Sequence, residues 1–112
     1  MTVLERTREA GKKILMSGGT RCNVLPSEVD LQADFFTDSP TSAMRAIFAS
    51  WGVWDCWAWL SDPEHVGLPL ELEEESYKWF PASNSSKEVR DKLVQACECD
   101  PPTRTAAFSA NL

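Results

Sequence analysis

Residues 68–97, LPLELEEESYKWFPASNSSKEVRDKLVQAC, contain the patterns that decide the fold. Leucines occupy every second position from Leu68 to Leu72, and a proline and a glutamate separate them. A period of two is typical of a strand with one exposed face. The polar residues at 74–76 suit a turn, after which Tyr77–Phe80 returns as a second strand. The pattern predicts a β-hairpin with one acidic face and one face of leucine and aromatic side chains.

A helix is predicted directly after the hairpin and a short loop at residues 81–85. Ser85 and Glu88 have the spacing of a capping box, in which a serine N-cap is followed three residues later by glutamate. Apolar residues then recur on one face of the predicted helix, at Val89, Leu93, Ala96 and Cys97.

Two paired helices are predicted upstream of the hairpin, after a segment at 24–38 that is mostly loop. The first starts at Ser39 as N-cap with Pro40 at the first helical position, and Gly52 ends it. The second begins near Asp55 and stops at residues 62–63, where aspartate precedes proline. The first helix has one apolar face, formed by Met44, Ile47, Phe48 and Trp51.

The N-terminal segment carries two short apolar runs that we interpret as strand ends. Val3 and Leu4 precede Glu5, and residues 6–13 form a polar loop or short helix. Ile14–Met16 is the second run, and a serine and two glycines follow it at once. A strand ending in a carboxylate is found in dinucleotide-binding folds, where that group binds the adenosine ribose, but many other strands end in glutamate.

The stretch Ser17-Gly18-Gly19-Thr20 admits two interpretations. Consecutive N–H groups without bulky side chains converge on anions, and a serine hydroxyl adds a donor. Alternatively, the glycines form a tight turn and only permit positive φ. Arg21, which follows, either adds a positive charge to an anion site or pairs with an acid elsewhere.

Charge is distributed unevenly along the 112 residues, whose formal net charge is −6. The first 23 residues hold five Lys or Arg against two Glu, and the remainder holds six bases against fifteen acids. Overall acidity argues against a nucleic-acid partner, while the basic end suits a small anion such as phosphate. No apolar run is long enough to span a membrane, and the charged N-terminus lacks the core of a secretory signal. We therefore expect an intracellular protein without a membrane partner.

The four cysteines do not indicate a metal site. Cys97 and Cys99 have a C-x-C spacing, and neither Cys22, Cys56 nor the single histidine supplies the second pair that a zinc site normally shows. A disulfide framework is not expected without a secretory signal. We predict free, mostly buried thiols and no metal.

Three segments in register resemble one enzyme family. GKKILMSGGTRCNV (residues 11–24) is very similar to the G-[KR]-K-x-L-x-S-G-G-G-R-C-N-[VL] signature of the BaiN/YhiN-like NAD(P)/FAD-dependent oxidoreductases. SAMRAIFASWGVWDCWAWL (42–60) resembles their paired helices. Residues 68–97 resemble their L-x-x-E-x-x-G-R-x-F-P-x-S-x-x-[AS]-x-x-V-x-x-x-L segment. The resemblance covers most of the chain, from Val3 to about Cys97.

The resemblance implies an FAD-binding, Rossmann-like domain, here α+β or partial α/β, in a flavoprotein that uses NAD(P)H. It places Glu5 at the adenosine ribose. It assigns the FAD pyrophosphate and ribityl region to Ser17, Gly18, Gly19, Thr20, Arg21, Cys22 and Asn23. It assigns the flavin side of the site to Lys78, Phe80, Pro81 and Ser83.

The chain departs from the family pattern at several points. Thr20 replaces the usual third glycine, and Tyr77-Lys78 replaces Gly-Arg, which exchanges a bidentate fork for a point charge. The G-x-G-x-x-G loop expected about 20 residues before Glu5 is missing, so the chain resembles an internal slice whose activity is impaired. We expect residues 1–24 to be a loosely held remnant of the dinucleotide-binding sheet and 99–112 a disordered tail.

In this interpretation, residues 25–98 fold compactly around apolar side chains of the helices and hairpin. Exposed apolar surface would then favour self-association. The predicted core consists of Met44, Ile47, Phe48, Trp51, Trp57 and Trp79.

Two functional hypotheses follow. In the first, the chain is a truncated homologue of a flavin-dependent NAD(P)H oxidoreductase. In the second, it is a non-enzymatic interaction module whose acidic hairpin and tryptophans contact a partner. A hydrolase is remote, because the single histidine, His65, has no evident catalytic companions.

Overall fold

The computed structural model describes residues 3–98 and the backbone of residues 107–108. These residues form an α+β fold of four helices and two small sheets. One sheet is antiparallel with the order β2-β4-β3, and the other pairs β1 with β5 in parallel. The elements are β1 (Leu4–Glu5), α1 (Lys12–Met16), a 3₁₀ turn (Ser17–Thr20), β2 (Leu25–Pro26), α2 (Thr41–Ser50), α3 (Val53–Ser61), β3 (Leu70–Glu73), β4 (Lys78–Pro81), α4 (Ser86–Glu98) and β5 (Ala107–Phe108).

The predicted hairpin is confirmed, with β3 and β4 antiparallel around a turn at residues 74–77. Its faces differ from the prediction, because Glu71 lies opposite Phe80, and Glu73 opposite Lys78. Side chains of opposite residues share a face of the sheet. The face predicted to be acidic therefore also carries the buried ring of Phe80, which another part of the chain has to cover.

The predicted capped helix is confirmed as α4, although only half of the capping box forms. The Ser85 hydroxyl accepts a hydrogen bond from the Glu88 N–H at 3.4 Å. The Glu88 carboxylate instead accepts a hydrogen bond from the Ser83 hydroxyl. The Ser83 hydroxyl oxygen in turn accepts a hydrogen bond from the Ser85 N–H. The predicted apolar face packs inward, with Val89 buried and Leu93 and Ala96 against the core.

The two predicted helices exist, but their starts differ from the prediction. Pro40, not Ser39, precedes the first turn of α2, and no side chain caps that helix. Helix α3 begins at Val53, two residues earlier than predicted, because the Asp55 carboxylate accepts a hydrogen bond from the Gly52 N–H at 2.8 Å. A carboxylate in the first turn satisfies a backbone donor and favours the helix start there.

The prediction of a strand at Ile14–Met16 is wrong, because these residues belong to helix α1. The Gly11 carbonyl accepts hydrogen bonds from the N–H groups of Ile14 and Leu15 at 2.9 and 3.3 Å. Ile14 then packs against the core. No strand among the described residues lies beside this run, so its backbone groups are satisfied locally, as they are in a helix.

The N-terminal segment, predicted to be loosely held, makes contacts with helix α4. The buried hydroxyl of Ser86, at the start of α4, donates to the Leu15 carbonyl at 3.1 Å. The Arg90 guanidinium donates to the Glu9 carboxylate at 2.8 Å. These two contacts join α4 to α1 and to the loop before it.

The buried core differs from the predicted one. Its centre is Leu68, whose side chain is 0% exposed, at the entry to the hairpin. Two of the residues predicted to be core, Ile47 and Trp51, are 57% and 50% exposed, and α2 contains no buried residue. The core cluster consists of Cys22, Leu60, Val66, Leu68 and Val89.

Strand β1 confirms the short strand predicted to end at Glu5. Its partner, β5, lies at Ala107–Phe108, within the segment predicted to be a disordered tail. The rest of that prediction concerns residues outside the described part of the chain. Within the described part, no helix has both the length and the apolar character needed to cross a membrane.

Candidate functional site

The glycine stretch forms a turn with left-handed backbone, and the residues that follow it donate hydrogen bonds back to its carbonyl groups. Gly18 and Gly19 have φ of 54° and 64°, and Thr20 continues the left-handed backbone with φ of 74°. The N–H of Arg21 donates to the Gly18 carbonyl at 3.3 Å, and the N–H of Cys22 donates to the Ser17 carbonyl at 3.1 Å. The N–H groups of Arg21 and Cys22, directly after the Ser17–Thr20 stretch, are therefore used within the turn.

The two glycines have different surroundings. A Cβ on Gly18 would lie 2.8 Å from the Asn23 nitrogen and 3.4 Å from the Phe80 ring. A Cβ on Gly19 would meet nothing within 4 Å. Gly18 therefore lacks a side chain because the backbone approaches it closely, whereas at Gly19 only the positive φ favours glycine.

Arg21 lies over the hairpin and pairs with an acid there. Its Nη1 is 2.8 Å from the Glu73 Oε1. Its guanidinium carbon is 4.2 Å from the centroid of the Phe80 ring, within the range of a cation–π contact. The guanidinium thus covers the apolar ring that the register leaves on the polar face of the hairpin. The sequence allowed Arg21 either to contribute to an anion site or to pair with an acid. In the structure it pairs with an acid, Glu73.

Glu73 has a second partner in the turn of the hairpin. Ser76 donates its hydroxyl proton to the other Glu73 carboxylate oxygen. This hydrogen bond, followed by the one from Arg21, lowers the pKa of the Glu73 carboxyl group. Glu73 was not among the predicted site residues. The sequence does indicate its position, because the alternation of β3 places Glu73 on the same face as Glu71, which lies opposite Phe80.

Glu5 makes local contacts at the tip of β1. Its two carboxylate oxygens accept hydrogen bonds from the N–H groups of Thr7, at 2.9 Å, and Gly11, at 3.1 Å. The Thr7 bond is the main reason that the pKa of Glu5 lies below its usual value. The carboxylate therefore organises the loop that leads into α1.

The remaining predicted site residues divide into two groups. Asn23 lies beside Gly18, and so joins the cluster around Phe80 and Arg21. The others have structural positions: Cys22 and Pro81 are buried, Lys78 is opposite Glu73 on the hairpin, and Ser83 contacts Glu88 before α4.

As arranged, these residues do not fit the pyrophosphate of a dinucleotide. A phosphate site needs converging N–H donors and net positive potential. The turn uses the N–H groups of Arg21 and Cys22 internally, and the Glu73 carboxylate both neutralises Arg21 and adds negative charge next to it. Anion binding would first require Arg21 to leave Glu73.

A groove in the described part of the chain lies elsewhere, beside the turn of the hairpin. It has a volume of about 630 Å³. Of the predicted site residues, only Lys78 lines it, together with Tyr77 and a loop that carries Glu28 and Asp34. A groove with two acids and one base does not favour a phosphate ligand.

The three described cysteines, Cys22, Cys56 and Cys97, are free thiols. Among residues 3–98 no three His, Cys, Asp or Glu side chains are grouped as metal ligands.

Comparison with known proteins adds no assignment. No protein-family model matches the chain, and no curated protein is significantly similar to it.

Proposed function

We propose that the chain is a homologue of the flavin-dependent NAD(P)H oxidoreductases, with part of an FAD site and impaired activity. The observation that supports this is the contact between two segments almost sixty residues apart. Gly18 and Arg21 of the SGGTRCN turn lie against Phe80 of the KWFPAS segment. The resemblance assigned both segments to one cofactor site, which requires them to be neighbours.

In such an enzyme a bound flavin would supply the redox chemistry, and the protein would supply position and electrostatics. The residues of this chain have the second role. Arg21 is the cation available to a phosphate once Glu73 is neutral or displaced. The Gly18 turn holds Arg21 above Phe80 and so fixes where that charge lies.

Titration of the purified protein with FAD, followed by flavin fluorescence and absorbance, tests this proposal. We expect a colourless protein with weak FAD binding that strengthens in Glu73→Gln, because that variant frees Arg21 and removes a negative charge. Arg21→Met should abolish the gain, and Glu74→Gln is the matched control in the same turn.

Two results would contradict the proposal. Protein that is yellow as purified and oxidises NADH or NADPH would show that the activity is intact. FAD binding that responds to neither Arg21→Met nor Glu73→Gln would remove the turn from the site. Transcripts that encode a G-x-G-x-x-G loop upstream of Met1 would support the kinship independently of cofactor binding.

A second candidate function is an interaction module, and the tryptophans favour it. Trp54 is 63% exposed and packs edge-on against Trp57 and Trp79, with centroids 6.0 and 6.4 Å away. Exposed aromatic side chains on a rigid base are typical of binding hot spots. Affinity capture should return a stoichiometric partner that Trp54→Ala or Leu70→Lys loses; a partner retained by both variants would exclude this surface.

A further inference from the structure

Strand β3 is the terminal strand of its sheet, and its outer edge has no strand beside it in the described part of the chain. The Ala82 N–H donates to the Pro69 carbonyl at 2.9 Å. In an antiparallel pair, hydrogen-bonded and non-hydrogen-bonded positions alternate. The register therefore turns the N–H and C=O groups of Glu71 and Glu73 towards β4, and those of Leu70 and Leu72 outwards.

The two faces next to this edge have different chemistry. Glu71 and Glu73 lie on one face, and the half-buried Leu70 and Leu72 lie on the other. A strand added at the edge would extend both faces, with its own side chains alternating between them. It would need a basic residue beside Glu71 and apolar residues beside the leucines, because Glu73 already pairs with Arg21.

A second copy of β3 does not meet this requirement. Pairing the edges of two copies would place glutamates of one strand next to glutamates of the other, and like charges opposite each other destabilise a sheet. Glu74 and Glu75 in the following turn add to that repulsion. A segment of opposite charge is attracted by the same residues.

We propose that the outer edge of β3 binds an extended peptide of alternating basic and apolar residues, which adds a fourth strand to the antiparallel sheet. Main-chain hydrogen bonds to Leu70 and Leu72 provide the pairing, and Glu71 selects the charge. The next outward N–H along the strand, that of Leu68, already donates to the Leu60 carbonyl at 2.8 Å, so the pairing ends there and about four residues of peptide are held. This inference rests on the second candidate function, in which the hairpin contacts a partner.

The test uses the full chain and a fluorescent six-residue peptide of alternating lysine and valine, with a glutamate–valine peptide as control. Fluorescence anisotropy should show saturable binding of the lysine peptide only, weakened by salt. Residue-resolved hydrogen exchange should show the Leu70 and Leu72 amides becoming protected when the peptide is added. That measurement requires no variant.

Two variants separate pairing from charge. Leu72→Pro removes an outward N–H without removing a bond to β4, so binding should fall at least tenfold, whereas the matched Leu72→Val should bind normally. Glu71→Lys should also weaken binding at least tenfold.

Three outcomes would overturn the proposal. The first is absence of binding at low salt, and the second is binding unchanged in Leu72→Pro without protection of the Leu70 and Leu72 amides. The third is binding lost in Trp54→Ala but kept in Leu72→Pro, which would place the partner on the tryptophans and leave the interaction function standing.

Discussion

Gly18 and Gly19 are adjacent and have nearly the same left-handed backbone, yet they carry different constraints. At Gly18 a side chain would collide with the Asn23 backbone, and at Gly19 it would enter open space. Replacing Gly19 alone therefore measures the destabilisation caused by a side chain at positive φ. Replacing Gly18 alone adds the destabilisation caused by the close contact with Asn23.

Replacing the glycines one at a time by alanine gives the first prediction. Gly19→Ala should lower the free energy of unfolding by about 1 kcal/mol, the cost of a left-handed alanine. Gly18→Ala should cost at least twice as much, because the Asn23 backbone has to move as well. Urea denaturation measures both, and equal losses would show that the contact with Asn23 does not constrain the turn.

The ion pair between Arg21 and Glu73 predicts a pH dependence. The folded state lowers the pKa of Glu73 from 4.5, so its contribution is complete above that value and is lost as pH falls through the lowered folded pKa. Glu73→Gln should therefore be less stable than wild type at pH 7, and the difference should shrink towards pH 3.

Urea denaturation at several pH values measures this difference, with Glu74→Gln as the control in the same turn. A gap between wild type and Glu73→Gln that is constant from pH 7 to 3 would contradict the role of the ionised carboxylate.

At the scale of elements, one buried hydroxyl joins α1 to α4. Ser86 donates to the Leu15 carbonyl and lies in the first turn of its own helix. Ser86→Ala should destabilise the fold by about 1–3 kcal/mol, because it leaves a carbonyl without its partner. Ser85→Ala, which removes the N-cap, should cost about 1 kcal/mol.

The position of α1 distinguishes the two serine variants. Hydrogen exchange of the Ile14 and Leu15 amides should accelerate in Ser86→Ala more than in Ser85→Ala. Equal acceleration in both variants would mean that α1 depends on α4 as a whole and not on the hydroxyl.

The sequence predicts an element where its pattern is long enough to exclude alternatives. The hairpin follows from the alternation at Leu68–Leu72, and α4 follows from a cap and an apolar face. Residues 14–16 are too few to show either a helical or a strand periodicity. They form a helix in the structure, where α1 packs against α4. The Arg21–Glu73 pair was not predictable, because it depends on the hairpin register and on the position of α1 together.

At the scale of the whole molecule, one group of exposed apolar side chains lies on α2 and at the start of α3. Ile47, Trp51 and Trp54 are each at least half exposed, and the residues 41–61 around them carry one base and one acid. Two copies of this acidic chain would meet little charge repulsion there, unlike at the glutamate-rich hairpin.

Concentration-dependent self-association is therefore expected, and sedimentation velocity measures it. Trp54→Lys should shift the protein towards monomer, because it replaces apolar contact with repulsion between copies. Ala49→Lys, on an exposed part of α2, is the matched control for added charge. Association that is unchanged in Trp54→Lys, or lost equally in both variants, would exclude a specific apolar contact.

The arrangement of Arg21 between Glu73 and Phe80 also constrains how this chain can diverge. Substitution of Phe80 by an aliphatic residue removes the surface on which the guanidinium rests, and substitution of Glu73 leaves the guanidinium without its ionic partner. Effects at residues that share a contact are not additive. We therefore expect these three positions to be inherited as one unit, so that descendants of this sequence replace all of them or none.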